Sequence, residues 1–139
     1  MIRMVALAGC AALFLALPAV QAREAPPVRG GKLTDSCAPW DGPAFDIRLD
    51  NRLTMHVYEA LSPAIVGKSF SVGMQQEQEG GGIIMRCGPP YNGCITYEGT
   101  VSINAIDGDM VSGTVEIVQK RAVVTHDFRV RHDRSFRPL

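Results

Sequence analysis

The stretch Ile95–Val130, ITYEGTVSINAIDGDMVSGTVEIVQKRAVVTHDFRV, decides the fold. From Ile95 to Ala105 the odd positions are Ile, Tyr, Gly, Val, Ile and Ala, and the even positions between them are all polar. Side chains alternate faces along a strand, so this pattern gives one apolar face and one wet face. The odd face resumes after Asp107-Gly108-Asp109 as Val111, Gly113, Val115 and Ile117. Both sets share a face only if paired residue numbers sum to an even total. That favours a three-residue loop at 107–109 with Gly108 near the left-handed region, and it rejects a two-residue Asp-Gly turn.

Past Gln119-Lys120-Arg121-Ala122 the apolar set moves to even numbers, Val124, Phe128 and Val130, with His126 and His132 in phase. A two-residue Lys120-Arg121 turn then sets Ile117 against Val124, Val115 against His126 and Gly113 against Phe128. A Phe lying across a strand glycine fills the space the glycine leaves.

Working outward, Phe45, Ile47 and Leu49 alternate with polar residues, as do Leu53, Met55 and Val57. A three-residue loop, Asp50-Asn51-Arg52, keeps both sets on one face. Ser69–Gly73 and Ile83–Cys87 add two short strands. Met74–Gly82, rich in Gln, Glu and Gly, reads as a mobile loop. About seven strands and no helix predict an all-β domain. Its architecture is an antiparallel meander forming either a small up-and-down barrel or a two-sheet sandwich.

The N-terminus is an address. Arg3 precedes an apolar run from Met4 to Val20, and Val20-Gln21-Ala22 supplies small residues for cleavage after Ala22. Residues 1–22 therefore read as a signal peptide, and the mature chain as periplasmic or secreted, with no membrane span. The alternatives are anchorage through the uncleaved segment or through a lipidated Cys10, since Leu7-Ala8-Gly9-Cys10 matches a lipobox. Residues 23–36, with Pro26-Pro27 and Gly30-Gly31, read as a flexible tether. A single β domain then spans 37–139.

An oxidising compartment favours cysteine pairing. Cys87-Gly-Pro-Pro-Tyr-Asn-Gly-Cys94 reads as a strand end, a turn and a strand start, so Cys87–Cys94 is the preferred disulfide. Cys37 with either partner is the competing arrangement. Closing that eight-residue loop contributes about 2.5 kcal/mol in chain entropy.

The chain carries 14 basic and 14 acidic residues, a balance that nominates neither nucleic acid nor an anionic membrane as partner. Six of the basic residues nevertheless lie in 120–139. Arg129 and Arg131 share the polar face of the last strand, with Arg134 following. They form a basic patch that either solvates an edge strand or meets an acidic partner or anionic envelope surface. No aromatic residues interleave with it, which argues against nucleic acid.

No serine occupies a nucleophile elbow and no cysteine a CxxC motif. The His-Asp steps at 126–127 and 132–133 point to opposite faces of a strand, so neither Asp orients its neighbour as in a triad. His126 and His132 stand about 20 Å apart at strand rise, too far to share a metal. No enzyme activity, metal or cofactor is therefore expected.

What remains is a small exported, non-catalytic binding module that contacts another protein through loop tips. Trp40, in the rigid turn Cys37–Pro43, and Pro89, Pro90, Tyr91 and Asn92 at the cysteine loop are the candidate contacts. In size, address and strand count the chain resembles small periplasmic inhibitors of wall-degrading enzymes, a resemblance of layout that implies an enzyme as partner. A barrel carrying a small apolar ligand and a structural envelope component are the other readings.

Overall fold

The computed structural model describes residues 23–24, 28–49 and 52–135; the signal peptide expected at 1–22 lies outside them. The strands are β1 (Arg23–Glu24), β2 (Val28–Cys37), β3 (Pro43–Arg48), β4 (Leu53–Val57), β5 (Ser69–Val72), β6 (Gly82–Cys87), β7 (Cys94–Asp107), β8 (Met110–Gln119) and β9 (Ala122–Asp133). A 3-10 turn at Pro63–Ile65 precedes β5. Among the described residues the fold is all-β.

Seven strands close into a barrel in the order β9-β2-β3-β4-β6-β7-β8, with β8 returning to β9. All of these pairs are antiparallel except β2 with β9, which run parallel where the ring shuts. The sheet is therefore mixed rather than a pure up-and-down meander. β5 takes over from β6 as the neighbour of β7, pairing Phe70 with Val101. Seven was the expected number of strands, yet the membership differs: β5 is outside the ring and β2 is inside it.

That exchange corrects the tether. Residues 28–37 lie between β3 and β9 on a full ladder. The glycines that suggested flexibility make a bulge: the register with β9 shifts between Arg29 and Lys32, and Gly30 and Gly31 take φ of 89° and 108°. A Cβ on Gly31 would lie 2.3 Å from the Arg48 carbonyl oxygen, so only glycine lets β2 approach β3 there.

The inward positions form one core. Leu33, Phe45, Ile47, Leu53, Met55, Val57, Ile84, Val101, Ile103, Val115 and Ile117 are fully buried, with Phe70 and Val72 of β5 packed into the same cluster. The β8–β9 register is the one the alternation demands, with Ile117 opposite Val124, Val115 opposite His126 and Gly113 opposite Phe128. A Cβ at Gly113 would sit 2.6 Å from Phe128 Cζ. The β3–β4 ladder likewise pairs Phe45 with Val57 and Ile47 with Met55.

The β7–β8 turn corrects the parity argument. Asp107 pairs with Met110, which leaves a two-residue turn at Gly108-Asp109. The even-sum register appears only beyond a bulge between Ile103 and Ala105. The bulge restores the face that the short turn reverses, so Ile103 and Val111 are both buried.

Strand directions divide the loops between two ends of the barrel. One end gathers the β3–β4 loop, the β6–β7 loop and the β8–β9 turn. The other gathers the β2–β3 turn with Trp40, the β4–β6 connection and the end of β9.

Candidate functional site

The β6–β7 loop is braced at its root. Cys87 and Cys94 face each other in register and form a disulfide. The Gly88 N–H donates to the Gly93 carbonyl at 2.9 Å, and the Tyr91 N–H to the Gly88 carbonyl at 3.0 Å. Both glycines hold positive φ, 93° and 130°, the conformation that turns the chain back so tightly. Pro89, Pro90, Tyr91 and Asn92 project outward, with Tyr91 38% exposed. Cys37 is left as a free, exposed thiol.

Below this tip the inner face becomes polar. Arg86 pairs with Leu53 on one side and Ile95 on the other, and it shares the phase of fully buried Ile84. Its Nε is buried without a hydrogen-bond partner. His126, 8% exposed, points inward from β9, and its Nδ1 is buried and also unpartnered. Burial, with the nearby Arg86 charge adding to it, holds His126 below the ordinary histidine range. Tyr97 packs against the core, with Tyr91 of the tip nearby. Burial raises the Tyr97 phenol, and the Arg86 charge opposes that rise. The β3–β4 loop borders the same mouth: a Cβ on Gly88 would lie 3.1 Å from Arg52 Nη1.

The opposite end is built differently. The turn at 38–42 folds over the outside of the barrel, where Ala38, Ala44 and Tyr58 form a small second core with Ile83 packed against it. Trp40 lies edge-on to Tyr58 with ring centroids 5.1 Å apart, yet stays 45% exposed. Inside this end, His132 Nε2 and Asp35 Oδ2 are 3.1 Å apart. On the outer wall His56 is half-buried, with Nδ1 2.6 Å from Asp46 Oδ1. In both pairs the carboxylate comes from another strand.

The cationic side chains are arranged differently from the expected patch. β9 is flanked by β2 and β8, so Arg129 and Arg131 do not lie on an edge strand. Arg131 stands beside Lys32, which stands beside Arg48, making a row of exposed cations across three strands. Arg134 instead pairs with Asp109 at 3.1 Å. Next to the row, Asp46 and Asp133 flank Thr34. An open surface depression of about 360 Å³ spans both rows, lined in part by Lys32, Thr34, Asp46, Arg48 and Asp133. Hydrogen bonds from Ser135 hold Asp133 below the usual carboxylate range, and Lys32 adds to the effect.

The structure thus keeps the two predicted contact regions apart, Trp40 at one end of the barrel and the Pro89–Asn92 tip at the other. It adds Arg86 and Tyr97, which the sequence did not single out, beneath the tip. Among the described residues no three His, Cys, Asp or Glu side chains gather as metal ligands, and no helix is long and apolar enough to cross a membrane. No protein family matches the chain, and neither a curated protein nor a solved structure is similar to it.

Proposed function

We propose that the protein is an exported, non-catalytic binding domain that docks a protein partner through the Pro89–Asn92 tip. The observation that carries this reading is the brace. A loop closed by a disulfide and by the Gly88–Gly93 hydrogen bond has little conformational freedom left to lose on docking. Tyr91 offers an amphipathic ring at the apex, a side chain suited to an interface hot spot. The resemblance in size, expected address and strand count to periplasmic inhibitors of wall-degrading enzymes makes such an enzyme the partner class to test first. The fully buried inward residues leave little room for a sizeable apolar ligand, which counts against a carrier.

The test is affinity capture from envelope extract with the full chain, in parallel with Tyr91→Ala and Trp40→Ala. One protein retained by the parent, retained by Trp40→Ala and weakened more than about tenfold by Tyr91→Ala fits docking at the tip. Equal retention by the parent and Tyr91→Ala, or no specific retention, removes the proposal.

A further inference from the structure

We infer that the barrel mouth beneath the tip is a receptor for a small oxyanion, a carboxylate or a phosphate-like group, held by Arg86 with His126 and Tyr97. Arg86 brings a guanidinium, a planar fork of N–H donors with no acceptor of its own. It occupies an inward strand position between Leu53 and Ile95, and the ion pairs among the described residues supply it no carboxylate. Arg86 is half-buried, with its Nε out of contact with solvent and unpartnered, a setting that favours a group of opposite sign beside it. His126 reaches the same region from across the barrel, more than nine-tenths buried and with its Nδ1 unanswered.

Two nitrogen-bearing side chains therefore face inward from opposite sides of the barrel, each with a buried nitrogen that no described acceptor meets, and Arg86 lies within electrostatic reach of both His126 and Tyr97. What this set lacks is an acceptor with several oxygens. Carboxylates and tetrahedral oxyanions provide that, and the flat guanidinium fork matches both. Size follows from the floor of the mouth. Leu53, Ile84 and Val115 are fully buried, so no water-sized void lies against them, and the ligand must be compact: a free oxyanion, or one presented on a larger molecule. The inference holds whether or not the tip docks a protein.

The test uses the full chain in chloride buffer at constant ionic strength, titrated separately with sodium phosphate, sodium sulfate and sodium acetate. Melting temperature and the His126 ring resonances are followed in the parent, Arg86→Met, Arg86→Lys and Arg129→Met. At least one anion should raise the melting temperature saturably and move the His126 signals. Arg86→Met should abolish both effects, and Arg86→Lys should weaken affinity at least about tenfold by losing the fork. Arg129→Met, an equal charge change on the outer wall, should leave both intact. Response to acetate alone assigns a carboxylate ligand, and response to phosphate and sulfate a tetrahedral one. No saturable response to any of the three overturns the inference. A response unchanged in Arg86→Lys, or lost equally in Arg129→Met, overturns it too. If Arg86→Met does not fold, the Lys variant alone decides.

Discussion

His126 and His132 sit on the same inner face of the same strand, one toward each end of the barrel, and their surroundings are opposites. His132 has Asp35 of β2 beside it at 3.1 Å. His126 has the cation Arg86 for company and a buried nitrogen with no partner. One is a closed structural pair, the other an open set of donors. A strand pattern treats two such residues alike, and only the strands across the barrel distinguish them. The end with the closed pair carries an aromatic turn lying on the outside wall. The end with the open set carries the covalently braced loop.

The largest expected effect concerns that brace. Replacing Cys87 and Cys94 together by Ser should lower stability by about 2.5 kcal/mol through restored freedom of the unfolded chain, read as a fall in the urea midpoint. An unchanged midpoint would mean that the two ends are equally dependent on ordinary packing.

Next comes the contrast between the pairs. Asp35→Ala leaves His132 without its acceptor and should cost about 1.5 kcal/mol. Arg86→Met, measured in chloride buffer, should raise stability by about 1 kcal/mol, because it removes a charge that nothing described opposes. Opposite signs in urea denaturation sharpen the comparison, and equal signs break it.

Acid provides a weaker probe. Since His126 binds its proton less readily in the folded chain than the ordinary value of 6.5, the unfolded chain takes up more protons once pH falls below that value. Stability contributed by neutral His126 is therefore complete above about pH 7.5 and declines as pH drops through about 6.5. His126→Leu should flatten that decline, which urea midpoints at about pH 7.5 and about pH 5.5 will show. The smallest effect belongs to Trp40→Ala. Losing one edge-on contact with Tyr58 from a half-exposed ring should cost about 0.5 kcal/mol in the same assay.

The parts of the fold legible in the sequence were those with unbroken alternation. Val115, Ile117, Val124 and Phe128 fix the β8–β9 register because any one-residue slip would turn an apolar set to water. Cys87 and Cys94 were legible because they bracket one turn. β2 was hidden: its inward positions include Leu33 and the charged Asp35, and its glycines look the same in a bulge as in a linker. Parity fails at the Gly108-Asp109 turn because it fixes a register only while no bulge intervenes. Arg86 lies hidden within Ile83-Ile84-Met85-Arg86-Cys87, where apolar residues on both faces conceal the phase. Counting two residues on from Ile84 would have turned it inward, but nothing in the chain announces that His126 waits opposite.

The parallel seam between β2 and β9 joins residues about a hundred positions apart. Bringing them together costs about 4 kcal/mol of loop entropy, recovered only when the ring shuts. A nascent polypeptide leaving the ribosome N-terminus first thus has no barrel until Ala122–Asp133 has emerged. Until then β2 and β8 are open borders, each a template for a neighbouring copy. A chain stopped before residue 122 should accordingly clump rather than make a smaller barrel.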